Sequence, residues 1–130
     1  MILDTSALIA ILRKEPEATR FAEMMEAADS RRISAVNYLE TAIVVDARRN
    51  PIDSRRFDDF IREGAVVIEP VTEAQARLAR DAYRDFGKGS GHGAHLNFGD
   101  CFAYALAKTI GEPLLFKGRD FSKTDVTPAH

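Results

Sequence analysis

The stretch Met1-Ile2-Leu3-Asp4-Thr5-Ser6-Ala7-Leu8 opens the chain with a wholly apolar strand that ends on an acid and runs straight into a helix. A strand apolar at every position is one buried on both faces, as in a parallel sheet covered by helices. The helix predicted from about Ser6 to Arg13 is then the first crossover. Asp4 sits where strand becomes helix. An unpaired buried carboxylate costs on the order of 3–5 kcal/mol, so an acid at that point has to be a helix cap or a ligand of something positive.

Working outward, strand and helix alternate along the chain, which predicts an α/β fold with a mainly parallel sheet. Pro16 starts a second helix, with Phe21, Met24, Met25 and Ala28 at helical spacing for core packing. Arg32 to Ala35 reads as a strand and Val36 to Arg49 as a helix stopped by Asn50-Pro51. Asp53 or Ser54 is placed to cap a helix carrying Phe57, Phe60 and Ile61 and ending at Gly64, and Ala65 to Ile68 reads as a buried strand. Thr72-Glu73-Ala74-Gln75 has the capping-box pattern and opens a helix that ends at Gly87. After the glycine-dense segment Gly87 to His95, a helix is predicted from about Gly99 to Ile110, then a strand from Leu114 to Phe116. His130 is expected to be disordered as a terminal residue.

The chain of 130 residues, 45% hydrophobic and 29% charged, is the size of one domain, 1–130. Cys101 is the only cysteine, so no internal disulfide forms, and its apolar surroundings make it a small buried hydrophobe. A reducing cytoplasm is the expectation, because Asp4 interrupts any leader-like run and no stretch reaches membrane-spanning length. A net charge of −2 argues against a protein that coats polyanions. It leaves room for an enzyme of nucleic acids whose acids are gathered at a metal and whose remaining surface carries Arg48, Arg49, Arg55, Arg56, Lys88, Lys117 and Arg119.

Two further acids break an apolar pattern as Asp4 does. Positions 36, 39, 40, 43, 44 and 47 make one helical stripe reading Val, Leu, Glu, Ile, Val, Ala, in which Glu40 is the intruder, and Asp100 opens a nearly all-apolar helix. Asp120 follows the last strand. In an open α/β sheet these positions converge at the carboxyl ends of the strands. An oxygen-only set of this kind suits Mg²⁺ or Mn²⁺. A carboxylate-held divalent pair supports phosphodiester hydrolysis by acidifying a water and steadying charge on the leaving oxygen. Each acid also has a plainer use. Asp4 can be an N-cap, Asp100 can answer the helix dipole, Glu40 can meet an arginine or an edge, and Asp120 and Asp125 can serve turns.

Taken together, Asp4 to Leu8, the Tyr-Leu-Glu-Thr of 38–41, the Asn-Phe-Gly-Asp-Cys-Phe-Ala-Tyr-Ala-Leu-Ala of 97–107 and the Leu-Leu-Phe-Lys-Gly-Arg-Asp-Phe of 114–121 resemble PIN-domain ribonucleases, and more narrowly VapC-type toxins of bacterial toxin–antitoxin pairs. The resemblance covers essentially the whole chain with the motifs in order. It implies a three-layer αβα fold and a Mg²⁺- or Mn²⁺-dependent endoribonuclease. Asp4, Glu40 and Asp100 would be its core acids and Asp120 its variable fourth. Many relatives carry an acid two residues before the Asp-Phe pair, where this chain has Gly118. Thr5 and Ser6 would orient Asp4 or a water. A homodimer and a VapB-type antitoxin that offers an arginine to the acids are implied as well, with Phe21, Met24, Met25, Ile43 and Val44 as possible walls of its groove.

Lys117 and Arg119 lie within the last motif and are expected to hold RNA phosphates. Gly87 to Gly93 fails as a phosphate loop, since Lys88 is followed by glycine and no strand precedes it. It is open between a substrate-facing loop, with Lys88 and His92 on RNA, and a solvated connector. The alternative function is a PIN-like module that binds RNA or protein without cutting. A dehalogenase-type phosphatase needs a second aspartate two residues after Asp4, where Ser6 stands.

Overall fold

The computed structural model describes residues 1–130. Its elements are β1 (Ile2–Leu3), α1 (Thr5–Leu12), α2 (Ala18–Ala27), β2 (Arg31–Ser34), α3 (Ala35–Asp46), α4 (Pro51–Glu63), β3 (Val66–Glu69), α5 (Glu73–Phe86), α6 (Phe98–Ile110) and β4 (Leu114–Leu115), with a 3₁₀ turn at Phe121–Lys123. The strands form one parallel sheet in the order β3-β2-β1-β4. β1 is central, and its alternation builds two cores. Ile2 pairs with Leu114 on one face and Leu3 with Leu115 on the other. On the first face Ile2 and Leu114 pack with Leu96, Tyr104, Leu106, Phe116 and Phe121 under α5 and α6. On the second, Leu3 and Leu115 pack with Leu8, Phe21, Ile33 and Phe57 under α1 to α4. Each such side chain, fully buried, contributes about 1.5–3 kcal/mol. No helix is long and apolar enough to cross a membrane.

Four local expectations are corrected. Asn50-Pro51 is a start rather than a stop: Asn50 accepts from the Ile52 N–H and Pro51 takes the first turn of α4, so neither Asp53 nor Ser54 is its cap. β3 is an edge strand, and although Val66 is buried, Val67 and Ile68 are exposed at 45% and 42%. The stripe of α3 faces outward, with Leu39 and Ile43 exposed, while Asn37, Thr41 and Val45 make its buried face. His130 is packed, its ring 4.9 Å from that of Phe116 and 5.5 Å from that of Phe21. The tail before it runs along the free edge of β4, where the Leu114 N–H donates to Thr127 O and the Ala129 N–H to Leu114 O.

Candidate active site

The central strand delivers Asp4. Its N–H still donates to Leu115 O at 3.0 Å, one residue past β1, and its side chain then caps α1. Oδ2 accepts from the Ser6 N–H at 3.0 Å and from Ser6 Oγ at 2.6 Å. Oδ1 is buried and has no partner. The capping role and the exceptional burial are therefore both present, divided between the two oxygens of one carboxylate.

Asp100 shows the same division. Asn97 caps α6 and accepts from the Asp100 N–H, and Asp100 Oδ2 accepts from the Asn97 N–H at 3.0 Å, closing a reciprocal capping box. Its Oδ1 receives no protein donor. Glu40, in α3, gathers two donors on Oε1, from Thr5 Oγ1 and Asn37 Nδ2, each at 2.9 Å, and none on Oε2. Thr5 thus holds Glu40 while Ser6 holds Asp4. These three acids line one cleft with Thr5, Ser6, Asn97 and Lys117.

The cleft is electrostatically loaded. Burial raises the Asp4 carboxyl above its ordinary 3.8, opposed by the Ser6 hydrogen bonds and reinforced by Glu40. Asp100 is pushed up to about 7, first by burial and then by Asp4, with Asp120 and Glu40 adding to it against the Asn97 N–H. Cys101, next along α6, is buried and free, its thiol pushed up to about 11 by burial and by Asp100. That makes it inert packing, as its sequence context suggests.

Asp120 is near enough to raise Asp100 but is exposed and does not line the cleft. Lys117 does line it, yet its Nζ is spent on Glu15 at 2.8 Å and Glu17 at 3.2 Å. The Lys117 N–H donates to Ser6 Oγ, which donates in turn to Asp4. Arg119 is exposed beside it. Lys88 and His92 lie outside the cleft. His92 stands edge-on to Phe86 at 5.0 Å, and its Nδ1 accepts from the Ala94 N–H, so the glycine-dense segment is folded against the end of α5. Phe21 and Met25 are core and neither lines the acidic cleft.

Sequence reasoning missed Asn37, Asn97, Glu15 and the cations Arg13, Arg48 and Arg56 as a group. The three arginines line a groove between α1, α3 and α4 that also carries Asp53 and shares Ile9 with the acidic cleft. None of them is in an ion pair. Arg48 and Arg56 were legible as basic residues, but not as neighbours of Arg13.

The donor set bears on whether a cation fits here. All the candidate ligands are oxygens, each core acid keeps one oxygen without a protein partner, and the orphan on Asp4 is buried. No three acid, histidine or cysteine side chains stand at joint chelating distance. A Mg²⁺-type ion that keeps several waters asks for one or two carboxylates, not a closed cage, so the residues fit such an ion.

The PIN domain family model matches residues 1–126. Ribonuclease VapC28 of Mycobacterium tuberculosis is 59% identical over 129 residues, covering 99% of this chain and 97% of that one. Ribonuclease VapC30 of the same organism is 50% identical over 126 residues, covering 97% and 95%. Among solved structures, M. tuberculosis VapC20, described as a sarcin-ricin loop cleaving toxin, superposes with a TM-score of 0.74 at 17% identity, covering 97% of this chain and 95% of that one. A toxin–antitoxin complex from Klebsiella pneumoniae superposes with a TM-score of 0.74 at 16% identity, covering 99% and 97%. These two share the α/β fold with its parallel sheet. By the extent of the family match and the identity to its curated relatives, the chain belongs to the PIN-domain family, among the VapC ribonucleases.

Proposed function

We propose that the protein is a Mg²⁺- or Mn²⁺-dependent endoribonuclease and the toxin of a toxin–antitoxin pair. One observation carries the reading: Asp4, Glu40 and Asp100 each commit one oxygen to protein donors and leave the other without one, around a single cleft. Of the three free oxygens Asp4 Oδ1 is also buried, a state in which a purely structural carboxylate oxygen is normally hydrogen-bonded. Asp4 Oδ1, Glu40 Oε2 and Asp100 Oδ1 are the oxygens open to an ion, which one or two of them would hold directly and the remainder through its waters. When bound, a divalent cation would supply Lewis acidity and a coordinated water more acidic than bulk water. Ser6, Thr5, Asn37 and the Asn97 cap fix the acids beforehand, so little reorganisation is left for the reaction. Asp120 adds negative potential from outside. The test is cleavage of a single-stranded RNA by purified protein: loss in excess EDTA, recovery with Mn²⁺, and loss in Asp4→Asn are expected. Undiminished cleavage in chelator would overturn the metal mechanism.

The curated relatives are named ribonucleases, and the Klebsiella structure is described as a complex with an antitoxin, which supports RNA as substrate and an antitoxin as partner here. An arginine of that partner would meet the free carboxylate oxygens. A homodimer is supported by Leu39, Ile43, Tyr83 and Phe98, exposed at 57%, 59%, 44% and 70% on α3, α5 and α6. Light scattering that finds a monomer at micromolar concentration would count against it.

A further inference from the structure

We propose that Asn37 is a positioning residue that locks Glu40 to the first turn of α6, so that the acids from three helices keep one spacing. The inference rests on the nuclease reading of the cleft. Asn37 is fully buried inside α3 with its Oδ1 left unpartnered, a cost that the two bonds of its amide nitrogen offset. Its Nδ2 donates to Glu40 Oε1 at 2.9 Å and to Gly99 O at 3.0 Å. Both partners are acceptors, so the amide orientation is set: a flipped amide would press Oδ1 against two oxygens. Gly99 directly precedes Asp100. The Asn37 main-chain carbonyl stands 3.3 Å from Thr5 Oγ1, whose single proton goes chiefly to Glu40 Oε1 at 2.9 Å, and Thr5 directly follows Asp4. One residue thereby touches the neighbour of each outer acid and the carboxylate of the middle one.

No other side chain joins α3 to α6 in this way. Thr41 bonds back to the Asn37 carbonyl at 2.8 Å and stays within α3. The capping box of α6 fixes Asp100 relative to its own helix, and Ser6 fixes Asp4 relative to α1. Without Asn37, Glu40 would retain Thr5 as its single donor, and nothing polar would register α3 against the start of α6. Residues that orient ligands from behind typically change metal affinity or activity by about 10- to 100-fold when removed.

The test uses the full chain. Mn²⁺ is titrated calorimetrically into wild type, Asn37→Ala and Asn37→Asp in the absence of RNA, and RNA cleavage is measured alongside. Asn37→Ala should lose about 10- to 100-fold in Mn²⁺ affinity and in kcat, with KM for RNA within about twofold of wild type. Asn37→Asp keeps the volume but cannot donate to both acceptors, so it should fall at least as far. Variants that bind Mn²⁺ as wild type does overturn the positioning role alone. A wild-type chain that takes up no Mn²⁺ overturns the reading of the cleft and this role with it. Should both variants fail to fold, nuclear magnetic resonance of the wild type decides. The Asn37 side-chain amide protons should be slow to exchange and should shift when Mg²⁺ is added. Amide protons that exchange freely, or stay unmoved by the ion, overturn the proposal.

Discussion

Gly99 has no side chain because the Glu40 carboxylate occupies the place of one. A β-carbon built on Gly99 would overlap Oε1, Oε2 and Cδ of Glu40. The backbone of α6 and the acid of α3 are thus in direct contact, and glycine here serves close approach: its φ is not in the left-handed region. Gly99→Ala should force Glu40 off its Thr5 and Asn37 donors. A displacement of about 1 Å at a catalytic group can cost about 100-fold, so cleavage should fall by about that factor. Circular dichroism should be unchanged, since alanine favours helix by about 1 kcal/mol over glycine. A fully active variant would show that Glu40 tolerates relocation.

Metal-free stability should fall as pH rises. Asp100 titrates at about 7 in the folded chain against 3.8 for an ordinary carboxyl, and Asp4 is raised as well. A raised carboxyl contributes stability that is fully present below the unfolded value and is lost as pH climbs through the folded one. The window is therefore about pH 4 to 7. Asp100→Asn imitates the protonated form at every pH and keeps an acceptor for the Asn97 N–H. Its stability minus that of wild type, both in EDTA, should grow from about pH 4 to about pH 8, reaching roughly 1–3 kcal/mol once the partial exposure of the site is allowed for. Mg²⁺ should reverse the order by stabilising wild type more. Thermal melts across that range provide the measurement, and a difference that is flat with pH would mean the cleft does not strain the fold.

Asp4, Glu40 and Asp100 were legible in the sequence because an acid in an apolar run is costly unless it caps a helix or meets a cation, and the alternation of elements announced the parallel sheet. Asn37 was not. Periodicity assigns a helix one buried face by its apolar residues, and in α3 that points to Leu39 and Ile43, which are exposed. The face that is buried carries Asn37 and Thr41 because it meets the polar first turns of α1 and α6 and not a hydrophobic layer. Strand order is likewise absent from local pattern, so Val67 and Ile68 read as core although β3 lies at an edge. Lys117 announced its charge but not its partners, since Glu15 is 102 residues away along the chain.

That partnership changes which cations should hold the substrate. Lys117 faces Glu15 and then Glu17, which raise its pKa and absorb its charge, so it offers a phosphate little net attraction. Arg13, Arg48 and Arg56, in no ion pair, surround a small pocket that also holds Asp53 and shares the lining residue Ile9 with the acidic cleft. Cations that bind the backbone alike in ground and transition state act on KM, and each phosphate they neutralise adds to the slope of log affinity against log salt. Arg48→Ala and Arg56→Ala should therefore raise KM, leave kcat within about twofold, and reduce that slope by roughly 0.7–0.9 for each phosphate that is no longer neutralised. Lys117→Ala should leave the slope unchanged. It should lower kcat instead, because it frees Glu15 and Glu17 beside the cleft and loosens the segment whose N–H holds Ser6 against Asp4. Measuring both constants at two salt concentrations separates the cases: a reduced slope in Lys117→Ala, with arginine variants indistinguishable from wild type, would return the phosphate contact to Lys117.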